Sequence, residues 1–554
     1  MTIARTGGQI LIDQLAIHGV KTVFCVPGES YLAALDALYD SPISVTVCRQ
    51  EGGAAMMAEA AGKLTGRPGI CFVTRGPGAT NAAHGVHIAK QDSTPMILFV
   101  GQVARDMRGR EAFQELDYRA VFGTMAKWAT EVDDAARIPE MVARAFAVAT
   151  SGRPGPVVIA LPEDMLTETA AVADARAYQV PDPAPSSAEI AAVCDAIQSA
   201  ERPLAILGGS RWTAAAREAM HAVAETLELP VAVSFRRQML FSADHPNYIG
   251  DLSLGPNPGL VAYARSADLV LLIGTRLSEV ASQGYTLLDI PTPRAKLVHV
   301  HPDPDELGRV YQPDIGIATS PAAFVAALSG ALPPSPIRRE AVAAERATFE
   351  AWNAPKLRKT DNVDMGAVMG HLRETLPPQT VITNGAGNYA TWVHRFYRFT
   401  QFNTQLAPTS GSMGYGIPAA VAAARLDPGR PVVAFAGDGC FLMNGQEFAT
   451  AIQYDLPIIV VIVDNSMFGT IRMHQERGYP GRAVGTALTN PDFAAYARAF
   501  GGHGERVETT AEFAPAFERA RAAGRPAILH CIVDPEALSI DATLSEIRAK
   551  AQSS

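Results

Sequence analysis

VVAFAGDGCFLMNGQEFATAIQYDLPIIVVIVDNSMFGTIRMH, residues 432–474, holds two apolar runs of strand length on either side of a helical stretch. The first run, Val432 to Phe435, ends in Gly437-Asp438-Gly439. Asn444 and Glu447 have the spacing of a reciprocal N-terminal cap, which predicts a helix starting at Asn444. The second run, Ile458 to Val463, ends in Asp464-Asn465. A strand–helix–strand unit of this length predicts a right-handed crossover between parallel strands. Asp438 and Asn465 then emerge together at the carboxyl ends of the two strands, where open α/β sheets bind ligands. A carboxylate and an amide oxygen suit Mg²⁺, which takes few protein ligands and fills its octahedron with phosphate and water. The flanking glycines let backbone approach a bulky diphosphate. Alone, Gly-Asp-Gly reads as a turn and a lone Asn as an Asx turn or cap. The ordered combination is much more specific.

The same alternation runs outward over the whole chain, which predicts an α/β protein with parallel sheets. Gln9 to Ile17 reads as a helix capped by Gly19, Val20 to Val26 as a strand, Pro27-Gly28 as a turn, and Leu32 to Leu38 as a helix. Strand–turn signals recur at Leu204 to Gly209, Leu269 to Gly274 and Leu297 to Asp303. Linkers are expected at Gln179 to Ser187 and around Pro333, Pro334 and Pro336, followed by a charged helical stretch from Arg339 to Arg358. These divide the chain into three doubly wound parallel-sheet domains, 1–180, 188–335 and 360–554. Whether the first and third share an architecture is not legible here.

Of the 554 residues 48% are hydrophobic and 19% charged, enough to bury several cores, and the net charge is −9. No basic stripe is present to follow a nucleic acid. Cys25, Cys48, Cys71, Cys194, Cys440 and Cys531 are far apart with no Cys-x-x-Cys pair, which favours reduced thiols in the cytoplasm. Met1 to Ile10 does not read as a signal peptide, and Pro457 to Val463, the longest apolar run, is too short to span a bilayer. A soluble cytoplasmic protein, with neither nucleic acid nor membrane as a partner, is expected.

The run Gly437-Asp-Gly-Cys-Phe-Leu-Met-Asn, with Leu456-Pro and Asp464-Asn465, resembles the thiamine-diphosphate signature of the 2-oxo-acid decarboxylase and acetolactate synthase superfamily. The resemblance covers essentially the whole chain. It implies pyrimidine-binding, central and diphosphate-binding domains in that order, with thiamine diphosphate and Mg²⁺ as cofactors. It makes Asp438, Asn465 and the Met467 carbonyl the metal ligands, with Gly437, Gly439, Cys440, Phe468 and Gly469 around the diphosphate. Gly385-Ala386-Gly-Asn388-Tyr389 resembles the segment that wraps the diphosphate, with Asn388 and Tyr389 replacing a Gln and a His. Ser410-Gly-Ser-Met-Gly-Tyr-Gly resembles the aminopyrimidine loop, which puts the Gly411 carbonyl near the amino group and Met413 beneath the ring.

Glu51 stands where a strand meets an Ala-rich helix. In isolation it needs no more than the helix dipole to explain it. The resemblance makes it the glutamate that hydrogen-bonds the cofactor's N1′, and implies that Glu51 and Asp438 of one site come from different subunits of a homodimer or homotetramer. Arg75-Gly-Pro-Gly-Ala-Thr-Asn81, Gly101-Gln-Val and Ala112-Phe-Gln-Glu115 resemble acetolactate synthase more than the simple decarboxylases, whose paired histidines are absent. Phe113 and Gln114 match residues on the substrate side; without the family they read as a packed aromatic and a surface turn. Three departures stand out. Glu29, after Pro27 and Gly28, is a proton donor or an exposed loop residue. His474 stands where a Trp is usual. Gly274-Thr-Arg276 and His299-Val-His-Pro-Asp303 are compatible with FAD, yet the full glycine fingerprint is missing.

The leading expectation is a carboligase that decarboxylates pyruvate or a related small 2-oxo acid and joins the product to a second carbonyl. The alternatives are a non-oxidative decarboxylase or 2-hydroxy-carbonyl lyase, a flavin- or nicotinamide-dependent oxidoreductase, and a silent regulatory paralogue. Intact Glu51, Asp438 and Asn465 argue against the last.

Overall fold

Thr6 accepts a hydrogen bond from the Gln9 backbone N–H, and the Gln9 side chain accepts one from the Thr6 N–H. This reciprocal cap starts the first helix at Gly7, earlier than its apolar periodicity indicates, and the helix runs to Ile17. Gly19, at φ +76°, then turns the chain into the strand Thr22–Cys25. The computed structural model describes residues 3–332 and 338–553. The expected linker at Pro333, Pro334 and Pro336 falls outside the described residues. The other, Gln179 to Ser187, contains no regular element before Ser186 caps the helix Ser187–Ser199. The charged helix is Arg339–Asn353, shorter than expected, because Pro355 disfavours helical geometry at Ala354.

Three six-stranded parallel sheets follow one another along the chain. The first holds, in spatial order, Ser44–Val47, Thr22–Cys25, Gly69–Val73, Met96–Gln102, Pro156–Pro162 and Trp128–Glu131. The third holds Gln405–Leu406, Val381–Asn384, Val432–Gly437, Ile459–Asp464, Ala527–Ile532 and His503–Val507. Counted along each unit, both have the order 2-1-3-4-6-5, so the two units share one architecture. The middle sheet has the order 3-2-1-4-5-6, with its direction reversing between Pro203–Leu207 and Leu269–Ile273. Almost every residue of the central strands is buried, as expected for sheets covered on both faces.

The first and third units share a core. Helix Glu51–Thr65 packs on Gly416–Leu426, and Ala54, Ala55, Ala58, Ala419, Ala420 and Ala423 lie in one buried cluster. Small side chains let the two helices approach closely. Lys63 is buried in this seam, paired with Glu59 at 3.2 Å and with Asp92, and Tyr415 donates to Glu59 at 2.5 Å. A buried ion left unpaired is far costlier than a paired one, so this network fixes the two units in register. Among the described residues no helix is long and apolar enough to cross a membrane.

Candidate active site

Strands Val432–Gly437 and Ile459–Asp464 are adjacent and parallel, with Gly437 opposite Val463. Asp438 and Asn465 therefore leave the sheet side by side at its carboxyl edge. They open on a cavity of ≈590 Å³, also lined by Ala386, Asn388, Gly411, Met413, Gly437, Gly439, Cys440, Met467, Phe468 and Gly469. The volume lies in the range of small-molecule sites. Gly385 lies just behind this wall: a Cβ there would meet the Cys440 sulfur at 2.6 Å. One expectation fails. A separate helical turn spans Asp438–Phe441, and the next helical stretch does start after Asn444, at Gly445, but Asn444 and Glu447 form no capping box. Asn444 donates to the Gly414 carbonyl at 3.2 Å, and Glu447, fully buried, accepts from backbone N–H groups of the first unit. These backbone donors, left unpaired by the first sheet, take the carboxylate in place of the local cap.

Two carboxylates meet beneath the cavity. Asn490 donates its amide to Asp438 at 2.7 Å and to Asp464 at 2.9 Å. Burial, with Asp464 nearby, pushes the Asp438 carboxyl up to about 6. Burial also disfavours charge on Asp464, but hydrogen bonds with His530, the Ser466 N–H and Asn490 outweigh it and hold this carboxyl below its usual range. The buried Asn490 Oδ1 has no partner. An acid disfavoured as an anion, beside an unpaired buried carbonyl oxygen, fits an all-oxygen divalent-cation site. Asn465 Oδ1 accepts the Met467 N–H at 3.2 Å, so the Asx turn forms as well. Neither Asn490 nor His530 carries a sequence motif.

The opposite wall is fixed from within. Gly385 N–H donates to the Tyr389 hydroxyl at 3.0 Å, and Gly414 N–H donates to the Cys440 sulfur at 3.2 Å. Asn388 donates to the Leu538 carbonyl at 2.7 Å and accepts from Thr470 at 2.7 Å, so its amide braces the wall. Gly411 sits at φ +66° with open space where a Cβ would be.

Helix Gly469–Gly478 forms the rim. His474 is exposed on it and is not among the residues lining the cavity. Glu476 is fully buried, gripped by Arg548 at 2.8 and 2.9 Å and by Arg472 at 3.0 Å. These bonds, Arg548 first, hold its carboxyl down from 4.5 to about 2. A depressed carboxyl contributes stability that is complete above its unfolded value and is lost as pH falls through the folded one. Arg548→Ala is expected to lower the melting temperature by a few degrees. In thermal scans that gap narrows as pH falls from about 4.5 towards about 2.

The first unit carries a second cluster on its own carboxyl edge. Glu51 is the first residue of its helix, and its Oε2 accepts the Asn81 amide at 2.9 Å. Glu29 pairs with Arg75 at 2.7 Å, and Glu163 pairs with the same guanidinium at 2.9 Å. Gly28 packs so tightly that a Cβ would meet that of Thr74 at 2.4 Å, while Pro27 is exposed. Gln114, at φ +66°, backs onto Gly76. Phe113 is 73% exposed, 6.0 Å from the Arg75 guanidinium, so it is not a packed aromatic. None of these residues lines the third-unit cavity, whose walls all come from residues 358–546. One chain therefore keeps Glu51, Glu29, Phe113 and Gln114 apart from Asp438 and Asn465.

The middle unit's switch point lies between Gly208-Gly209 and Gly274-Thr275. A Cβ on Gly209 would lie 1.8 Å from the Gly274 oxygen. The crevice is ≈40 Å³, room for roughly one water. Arg237 crosses it, donating to the Gly209 carbonyl at 3.1 Å and the Asp92 carbonyl at 2.8 Å.

Comparison with known proteins matches three segments in order. Residues 5–121 match the N-terminal TPP binding domain of thiamine pyrophosphate enzymes, 190–328 their central domain, and 385–531 their C-terminal TPP binding domain. A probable acetolactate synthase large subunit from Methanocaldococcus jannaschii is 31% identical over 548 residues, 96% of this chain and 92% of that protein. The acetolactate synthase large subunit of Parasynechococcus marenigrum is 33% identical over 526 residues, 91% and 83% of the two chains. The isozyme 2 large subunit of Escherichia coli is 29% identical over 530 residues, 95% of each. With three such segments matched in order and the identity sustained almost end to end, the chain belongs to the thiamine pyrophosphate enzyme family.

Proposed function

We propose that the protein is a thiamine-diphosphate- and Mg²⁺-dependent carboligase of acetolactate synthase type. It decarboxylates pyruvate or a related small 2-oxo acid and joins the remaining unit to a second carbonyl. The observation that carries this reading is the cavity where Asp438, Asn465 and Met467 meet Gly411 and Met413, over the Asp438–Asn490–Asp464 cluster. The similarity to acetolactate synthase large subunits supports the reaction type.

Asp438, Asn465 and the Met467 carbonyl would hold Mg²⁺, with Gly437, Gly439, Cys440, Phe468 and Gly469 leaving room for the diphosphate. When bound, thiamine diphosphate supplies the electron sink that carboxylate loss requires. Glu51 holds a proton at the pyrimidine N1′, and Asn81 orients its carboxyl. Because one chain separates Glu51 from the cavity, two chains complete each site, in a homodimer or homotetramer. Phe113 and Gln114 would then form the substrate side. Glu29 is engaged with Arg75, which makes it an anchor for that guanidinium and favours ligation over a free proton donor. Six buried, unpaired cysteines support a cytoplasmic setting.

The test is pyruvate consumption with Mg²⁺ and thiamine diphosphate, with product identification. Acetolactate is expected; acetaldehyde alone would overturn ligation in favour of simple decarboxylation. The proposed reaction calls for no flavin. The purified protein is expected to lack a flavin absorbance band, and a stoichiometric flavin would refute the reading of the Arg237-filled crevice.

A further inference from the structure

Glu447, an acid of the 432–474 stretch, lines no part of the cavity and turns towards the first unit. Its Oε1 accepts the N–H groups of Arg49 and Gln50, both at 3.0 Å, and its Oε2 accepts the Thr450 hydroxyl at 2.6 Å. The carboxylate is fully buried. Arg49 and Gln50 immediately precede Glu51. The preceding strand ends at Val47, so sheet pairing leaves their N–H groups unused. The Gln50 side chain is spent on the Gly53 N–H at 3.0 Å as the helix cap. A Cβ on Gly53 would lie 2.6 Å from Glu447 Oε1, so the helix's first turn is shaped around this carboxylate. We infer that Glu447 is a positioning residue, clamping from the third unit the N-terminus of the helix that begins with Glu51 and so fixing where the Glu51 carboxyl points.

The inference rests on Glu51 being the acid that meets the cofactor's N1′. It adds a consequence. Glu447 lies on the segment that also carries Asp438. One subunit's diphosphate site is thereby tied to the Glu51 that this subunit lends to its partner.

A clamp and a mere interface contact differ in what they disturb. Glu447→Leu keeps most of the bulk but leaves the two N–H donors without an acceptor. In the full-length cofactor-free protein, amide hydrogen exchange at Arg49 and Gln50 is expected to quicken by about 10-fold or more. In the loaded protein, exchange of the cofactor's C2 proton slows by about 10-fold, while Mg²⁺–thiamine diphosphate affinity stays within about 3-fold. Gly53→Ala, which pushes on the clamp without removing it, is expected to act in the same direction. Tyr454→Phe is the control, because the Tyr454 hydroxyl accepts the Val47 N–H at 2.8 Å in the same seam but does not touch the helix start. Unchanged exchange in Glu447→Leu, or equal losses in Tyr454→Phe, would overturn the inference. If Glu51→Gln itself left C2 exchange at the wild-type rate, the role of Glu51 would fall, and the amide result would judge the clamp separately.

Discussion

Glu51→Gln is expected to lower kcat with pyruvate by about 10²–10⁴-fold, the range lost when a positioned proton-transfer group is removed. The carboxylate opens its helix, and one oxygen is held by Asn81 at 2.9 Å. Glutamine preserves that shape and can still accept the Asn81 amide. It cannot hold and release a proton. Cofactor affinity, followed by quenching of tryptophan fluorescence during titration, should move by only a few-fold, because the contacts proposed for the diphosphate all lie on the third unit. A variant with near-wild-type kcat would remove Glu51 from the chemistry. One that failed to bind cofactor would make it a binding group.

A comparable loss is expected for Asp438→Ala, by a different route. The substitution removes the buried acid beneath the cavity, and activity should fail with loss of Mg²⁺-dependent cofactor binding. The two inactive variants together decide the assembly. Mixed, dissociated and reassociated, they should regain about a quarter of wild-type activity, because half the dimers are mixed and each mixed dimer holds one intact site. If both residues served a site within one chain, mixing would restore nothing. The reciprocal experiment pairs wild type with the double variant. There every mixed dimer has two broken sites, and activity should fall below that of the unmixed wild-type fraction.

The parts legible in the sequence are those set by short-range patterns. Run lengths and glycines placed Asp438 and Asn465 on neighbouring strand ends, and the strand–helix junction placed Glu51. The partial glycine pattern in the middle unit leaves a nucleotide open, and only packing shows Arg237 across the crevice. Glu447 was misread because a capping box is a local signal, while its partners, Arg49 and Gln50, lie some 400 positions away. Asn490 and His530 left no trace, since nothing but proximity links them to Asp438 and Asp464. Phe113 was expected to pack or to line a substrate site. Its exposure follows from a turn held by Gly109 and Ala112 N–H groups donating to Glu115, which leaves the ring outside.

The repeated strand order has a consequence for polarity. In both outer units a charged residue follows the third strand: Arg75 lies two residues past Gly69–Val73, and Asp438 opens a short helical turn directly after Val432–Gly437. One topological position thus carries a cation in one copy and an acid in the other. An arginine cannot ligate a metal, so at this position only the third unit offers Mg²⁺ a ligand. Two like surfaces placed face to face would otherwise accept an elongated ligand in either direction. In the proposed two-chain site, this single reversal of charge would give the groove a head and a tail.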